Sequence, residues 1–170
     1  NGRAYITVDQ HRLNDFTPHV FRCDDYGQRC ENRSACLPQD DYVVVVREDP
    51  KRRGLLFSGS EQAVHVSFDD GEQWQSLRVN MPATSVRDLV IKGDDLVAGT
   101  HGRGFWILDD ITPLRQLPEV TLSAGPHLFA PSALVRKLVP GMRERGYGRI
   151  VNVISTSVKA PIPWLGVSNT

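Results

Sequence analysis

The stretch SFDDGEQW, residues 67–74, decides the fold prediction. It joins two short segments, AVHVSF (63–68) and QWQSL (73–77), that are typical of strands because apolar and polar residues alternate in them. Asp-Asp-Gly between two strands indicates a hairpin, since Asp and Gly tolerate turn geometry. We therefore expect Asp69 to accept hydrogen bonds from turn amides, and Trp74 to fold back over the hairpin and become buried.

The two adjacent carboxylates, Asp69 and Asp70, also suggest an alternative role as a catalytic acid pair beside an aromatic platform. Acid catalysis needs a carboxyl group in surroundings that favour its neutral form. A solvated turn between two strands is a poor place for that, so we interpret the stretch as structural.

A repeat runs through the first 115 residues. FSGSEQAVHVSFDD (57–70) aligns without gaps on VAGTHGRGFWILDD (97–110) at an offset of 40 residues. HVFRCDDYG (19–27) aligns on AVHVSFDDG (63–71) at an offset of 44. A period of this length built from short strands is the spacing of propeller blades, which pack radially around an axis.

The chain before residue 130 is predicted to be mainly β, with no helical periodicity. Its strand-like segments are rich in β-branched and aromatic residues: AYITV, YVVVV, GLLFSGS, AVHVSF, DLVIKG, DLVAGT and GFWIL. Turn clusters separate them, namely DDYG, EDPKRRG, DDG and KGDD. The order of strands and turns predicts a succession of antiparallel hairpins.

SFDDGEQW resembles the Asp-box of sialidase-type (bacterial neuraminidase repeat) and sortilin-like β-propellers. Four residues match its pattern: Ser67, Asp69, Gly71 and Trp74. An earlier copy keeps Asp25 and Gly27, with Cys30 where the Trp belongs, and a later copy keeps only Asp109. Longer phrases such as VRDLVIKGDDLVAGTHGRGFWILDD are similar to large, usually exported bacterial propeller proteins that carry sortilin-like or glycosyl hydrolase-like labels.

This resemblance covers residues 2–128 and implies an incomplete β-propeller of about three blades, exported or periplasmic in its parent. It implies a scaffold or binding surface for protein or glycan, with the Asp-box at the blade periphery, away from the ligand face. His101 and Arg103 in THGRGF are the best candidates for a binding loop, the alternative being a solvated turn. A sialidase-like glycoside hydrolase is the other alternative, but its site needs several arginines, a nucleophile and a general acid from many blades.

The last 43 residues follow another pattern. Apolar spacing predicts a helix over 132–146 that ends at Gly146, and RIVNVIS (149–155) is typical of a buried parallel strand. This α/β unit resembles part of a short-chain dehydrogenase/reductase, a family with cytoplasmic members. By that resemblance Ser155 occupies the catalytic Ser position, whereas Ser168 stands where the Tyr belongs. Because the glycine-rich cofactor turn is also missing, we expect no hydride transfer and no NADP binding.

The two resemblances meet near residues 127–133, and we predict a chimera of a propeller fragment, 1–127, and a reductase fragment, 128–170. The formal charge changes at the same place. The second part has six Lys/Arg and one acid, whereas the first has 14 basic and 19 acidic residues. The start at Asn1 without Met also suggests a fragment. Unpaired sheet edges then predict poor stability or association in isolation.

The three cysteines, Cys23, Cys30 and Cys36, lack zinc-ligand spacing, and we predict no metal site. Isolated thiols are the favoured interpretation, with a Cys30–Cys36 bridge as the alternative in an exported protein. No apolar run approaches the roughly 20 residues of a membrane helix. We predict neither a membrane span nor a nucleic-acid partner.

Overall fold

The chain is mainly β. The computed structural model describes residues 2–117, 129, 141 and 143–146. The strands in these residues are β1 (Ala4–Thr7), β2 (Val20–Asp24), β3 (Arg29–Asn32), β4 (Val43–Glu48), β5 (Leu56–Ser60), β6 (Val64–Ser67), β7 (Gln75–Ser76), β8 (Val86–Lys92), β9 (Asp95–Thr100) and β10 (Phe105–Leu108). A short helix, α1 (Thr112–Gln116), follows them.

The strands form three antiparallel sheets. The first sheet is β1-β2-β3, the second is β4-β5-β6-β7 and the third is β8-β9-β10. Each strand pairs with its neighbour in sequence, as a succession of hairpins requires. Residues up to Ile111 belong to one compact unit. The mainly β prediction and the predicted hairpins are confirmed.

The predicted turn clusters join paired strands. DDYG leads from β2 to β3, EDPKRRG from β4 to β5, and KGDD from β8 to β9. The stretch SFDDGEQW joins β6 to β7, where Val66 pairs with Gln75. Gly71 in this turn has φ +88°, a left-handed conformation in which a side chain is strained.

The first and second sheets pack through a cluster of buried apolar side chains: Val20, Leu37, Val43, Val46, Leu56 and Trp74. Tyr5 of β1 packs against this cluster. Trp74 is only 5% exposed, so the predicted burial of this side chain is confirmed. Its contacts extend beyond its own hairpin, because Val20 belongs to the first sheet.

The second and third sheets pack closely along β5 and β8. A Cβ atom added to Gly59 would lie 2.6 Å from Cγ1 of Val86 and 2.8 Å from Cγ1 of Val45. No side chain fits at that position, since real Cβ atoms do not approach other atoms so closely. Arg47 of β4 also donates from Nε to the Leu89 carbonyl of β8 at 3.0 Å.

Two parts of the secondary structure differ from the sequence prediction. Neither β2 nor β3 is among the segments predicted as strands. β2 is indicated only by the alignment of HVFRCDDYG on AVHVSFDDG, and β3 has the polar sequence RCEN, whose conformation its pairing with β2 determines. Helical structure before residue 130 is also present, in α1 and in short 3₁₀ segments at His11–Leu13 and Asp25–Gly27. These segments have three to five residues, too few for a helical period to be visible in the sequence.

The interpretation of the cysteines as isolated thiols holds only for Cys36, and the alternative Cys30–Cys36 bridge was wrong. Cys23 and Cys30 form a disulfide, and Cys36 is a free, exposed thiol. The reason is the missed strand, since Cys23 of β2 lies directly opposite Cys30 of β3 in the antiparallel register. Residues in such cross-strand positions have Cβ atoms about 4.5–5.5 Å apart, close to disulfide distance.

Most of the predicted C-terminal unit lies outside the described residues. This applies to the strand 149–155 with Ser155, to Ser168, and to most of the helix 132–146. Within that range Gly141, Arg143 and Glu144 are helical. The boundary at residues 127 and 128 stays a prediction. No helix among the described residues is long and apolar enough to cross a membrane.

Candidate functional site

The connections between strands gather at two ends of the sheets. One end, which we call the turn end, contains SFDDGEQW. It consists of the connections 25–28, 49–55, 68–74 and 93–94. We call the loop end the residues 8–19, 42, 61–63, 85 and 101–104, together with Arg87 at the start of β8. Because neighbouring strands are antiparallel, successive connections alternate between these ends.

At the turn end, SFDDGEQW is organised by hydrogen bonds within the turn. Ser67 Oγ donates to Asp69 Oδ1 at 2.8 Å and accepts from the Gly71 amide at 2.9 Å. The Gln73 amide donates to Asp69 Oδ1 at 2.9 Å, so the predicted bond from a turn amide is confirmed. Trp74 Nε1 donates to the Arg33 carbonyl at 2.7 Å, which links the turn to the segment after β3.

The neighbouring acid, Asp70, joins the second sheet to the first. Its Oδ2 accepts from Arg3 Nη1 at 2.6 Å and from Arg22 Nη1 at 3.2 Å, and its Oδ1 accepts from the Tyr5 hydroxyl. Burial and this bond to Asp70 raise the pKa of Tyr5. Arg3 also donates to Asp24 at 2.7 Å, and this bond lowers the pKa of Asp24.

The turn end is therefore occupied by its own contacts. Arg22 and Arg33 both donate to Glu31 Oε2, at 2.9 and 2.6 Å, and Arg33 also donates to Glu72. A catalytic acid pair would need an unoccupied carboxyl group that faces a substrate. No sequence pattern identifies the arginines in this network, because Arg3 and Arg22 lie 67 and 48 residues from Asp70.

The two weaker copies of the motif lie at different places. Asp25 and Gly27 form the turn between β2 and β3, with φ +52° and +89°. Asp109 is exposed and follows β10. In the described residues no strand pairs with the outer edge of β10, because the chain continues into α1.

At the loop end, one carboxylate collects donors from two sheets. Glu61 Oε2 accepts from the Tyr42 hydroxyl at 2.7 Å, from Ser85 Oγ at 2.8 Å and from Arg87 Nη2 at 3.2 Å. Partial burial opposes ionisation, but the bonds from Tyr42 and Ser85 and the charge of Arg87 outweigh it. They hold the pKa of Glu61 below its usual value.

An aromatic pair extends this cluster to the first sheet. The rings of His11 and Tyr42 stack with centroids 4.8 Å apart and an interplanar angle of 19°. Asp9 lies 2.5 Å from His11 Nδ1, and Phe16 packs against Tyr42 at 6.3 Å between centroids. Burial and the bond to Glu61 raise the pKa of Tyr42, so its hydroxyl stays a donor.

The predicted binding loop contributes to the loop end through His101. The His101 amide donates to the Ser85 carbonyl at 2.8 Å, and Ser85 Oγ in turn donates to Glu61 Oε2. Arg103 is exposed in the same loop, and its carbonyl accepts from Trp106 Nε1 at 3.2 Å. The structure thus places the His101 backbone beside Ser85, a donor to Glu61, and both His101 and Arg103 are exposed.

Several loop-end residues were missed from the sequence. They are Asp9, His11, Tyr42, Glu61, Ser85 and Arg87. Each lies just outside a predicted strand or at its start, and antiparallel order places those positions at one end of the sheets. Strand order combined with the ends of the predicted strands could have identified them.

The loop end has the chemistry of a polar binding surface. It combines a carboxylate, a guanidinium, imidazoles and an aromatic stack, with Phe16 46% exposed. Among the described residues, no group of His, Cys, Asp and Glu could hold a metal ion. A cavity between the second and third sheets, lined by Val64, Leu96 and Trp106, has a volume of about 50 Å³. Ligand pockets are usually about 300–1,000 Å³, so the open surface is the better candidate.

In comparisons with known proteins, no family model and no curated protein matches the chain.

Proposed function

We propose that the three sheets are neighbouring blades of a propeller-type scaffold, with the loop end as its binding face. The 40-residue offset between hairpins and the side-by-side packing of the sheets support this arrangement. One observation carries the assignment of the face. Glu61 of the second sheet accepts hydrogen bonds from Ser85 and Arg87 of the third sheet. Beside it, the ring of Tyr42 stacks on His11 of the first sheet.

The proposed role is binding without catalysis. Glycoside hydrolysis uses two carboxyl groups, one of which must keep its proton near neutral pH. The pKa of Glu61 is lowered, which favours a permanent negative charge and suits recognition rather than proton donation. Aromatic residues and arginine are also enriched where proteins contact partners. We therefore propose a protein or glycan surface as the partner.

The binding test compares the two ends of the sheets. A glycan array and a displayed peptide library are screened against the wild-type chain, and then against Arg87→Ala with His101→Ala. Arg29→Ala is the control, because Arg29 is a 74% exposed arginine at the start of β3, next to the turn end. We expect binding that the double variant loses and the control keeps. A folded chain without any binder, or hydrolysis of a sialoside, would contradict the proposal.

We also propose an exported location for the protein. The Cys23–Cys30 disulfide supports it, because such bonds persist in oxidising compartments and are rare in the cytosol. Thiol titration of protein isolated without reductant tests it. One reactive thiol, that of Cys36, is expected. Three reactive thiols in the folded protein would contradict it.

The reductase-like alternative depends on residues 128–170 and on Ser155. A thermal unfolding scan with and without NADPH separates it from the scaffold proposal, because a ligand that binds the folded state raises the Tm. We expect no change in Tm. Stabilisation that grows with NADPH concentration would favour the reductase alternative.

A further inference from the structure

The third sheet has an exposed apolar face. Val90, Val97 and Ile107 lie opposite one another on β8, β9 and β10, and Phe105 lies two residues before Ile107 on the same side. We call these four residues the trailing face. Phe105 is 81% exposed, Ile107 60% and Val90 49%, which is unusual for side chains of this size.

The equivalent face of the second sheet is buried. In the second sheet Phe57 of β5 pairs with Val66 of β6, just as Val97 of β9 pairs with Ile107 of β10 in the third. By the same register, Val64 of β6 occupies the position of Phe105 of β10. Phe57 is 0% exposed, and Val64 and Val66 are each 3% exposed. The third sheet covers this face, as the close approach of Gly59 to Val86 demonstrates.

The first sheet carries a second exposed face at the opposite side of the row. Tyr5 and Thr7 point toward the second sheet, since they bond to Asp70 and to the Val44 carbonyl. Ile6 therefore points away, beside its cross-strand partner Phe21. We call Ile6 and Phe21 the leading face. Ile6 is 46% exposed, and Phe21 is half-buried.

We propose that two copies of this chain associate head to tail, with the trailing face of each packed on the leading face of the other. Such a contact continues the sheet-on-sheet interface that already joins the three sheets within one chain. Contacts between two different surface patches close into rings or form open chains. The described residues of two copies supply six sheets, within the range of about four to eight at which radial sheets close. The inference rests on the radial arrangement proposed above.

Size-exclusion chromatography with light scattering of the whole chain tests this inference. We expect twice the chain mass for the wild type. Ile107→Lys places a charge on the trailing face and Ile6→Lys on the leading face, and each alone should give a monomer. Tyr26→Ser is the control, because Tyr26 is 88% exposed and lies at the turn end, so this variant should stay dimeric.

Three results would overturn the inference. The first is a monomeric wild type with a β-type circular dichroism spectrum and a cooperative melt. The second is a dimer that Ile6→Lys leaves intact, which would mean pairing of two β10 edges instead. The third is an open series of larger oligomers. Failure of the proposed binding function would appear separately, as ligand binding that is insensitive to Arg87→Ala with His101→Ala.

Discussion

The turn end and the loop end carry similar residue types but use them differently. At the turn end, Arg3, Arg22 and Asp70 keep only 15–24% of their side-chain surface exposed and bond to one another across two sheets. At the loop end, Glu61 and Arg87 are 37% and 42% exposed, and their pairing leaves polar surface open to solvent. Both groups of charges are paired internally, but only the loop-end pair keeps enough exposed surface to be available to a partner.

This difference corrects the impression that the sequence gives. Asp69 and Asp70 attract attention as adjacent acids, yet Asp69 is bonded to its own turn and Asp70 to the first sheet. Glu61 lies in the segment GSEQA, which has no other acid, and it is the carboxylate that accepts a hydrogen bond from the Tyr42 hydroxyl at the loop end. Local sequence density of acids is therefore a poor guide to function in this chain.

The largest expected effect is from Trp74→Ala. The side chain is 5% exposed and fills the space between the first and second sheets, so its loss should cost about 3–5 kcal/mol of unfolding free energy. Chemical denaturation measures this. Trp74→Phe should cost less, since it keeps most of the apolar contact. A loss below about 1 kcal/mol for Trp74→Ala would contradict the core position of this residue.

A smaller effect is expected from Asp70→Asn. It removes the charge that Arg3 and Arg22 share, and leaving such groups poorly paired should cost about 1–3 kcal/mol. Asp109→Asn is the control, because Asp109 is an exposed acid in the third sheet's copy of the motif, where it aligns with Asp69. It should stay within about 0.5 kcal/mol of wild type. Equal losses for both variants would remove the distinction between the two turns.

A pH effect is expected from His65, between the two ends. Burial lowers the pKa of this imidazole below its usual value of 6.5, although the nearby Asp41 charge opposes the shift. The unfolded chain therefore binds a proton more readily than the folded chain. Stability from this residue is complete above pH 6.5 and falls as the pH drops below it, by at most about 1.4 kcal/mol per pH unit.

Unfolding curves between about pH 5 and 8, the range in which histidine changes charge, are measured for wild type and His65→Leu to check the direction of this effect. The wild type should lose stability on acidification through this range more steeply than the variant. Identical pH slopes for the two proteins would contradict the burial of a neutral imidazole.

The smallest stability effect is expected at the loop end. Arg87 is half-exposed, and its single bond to Glu61 is 3.2 Å long, so Arg87→Ala should change the unfolding free energy by less than about 1 kcal/mol. The same variant, combined with His101→Ala, should abolish partner binding. A loss of stability as large as that of Asp70→Asn would show that the loop end is also structural.

Local features of this fold could be predicted from the sequence, and contacts between distant segments could not. The turns, most of the strands and the burial of Trp74 follow from alternation and from Asp and Gly at fixed positions. β3 was missed because three of the four residues in RCEN are polar, and the disulfide was missed with it. Only the register of β2 and β3 places Cys23 opposite Cys30.

The candidate site illustrates the same limit. His101 was identified because it lies in an exposed Gly-containing loop, a property of its neighbours in sequence. Its backbone bond to Ser85 and the bond of Arg87 to Glu61 bring these residues together at the loop end. The second of these depends on how the second and third sheets pack, because Arg87 and Glu61 are 26 residues apart in the sequence. To predict that these residues meet, one must know the order of the sheets as well as the positions of the strands.

The central claim is that Asp70, in the SFDDGEQW turn, stabilises the packing of the second sheet on the first through its bonds to side chains of the first sheet. A double-mutant cycle with Arg3→Met and Asp70→Asn, followed by chemical denaturation, tests it most directly. Because Arg3 Nη1 lies 2.6 Å from Asp70 Oδ2, the two substitutions should be non-additive by about 0.5–3 kcal/mol. Additivity within about 0.3 kcal/mol would contradict the claim, since the two side chains would then act independently.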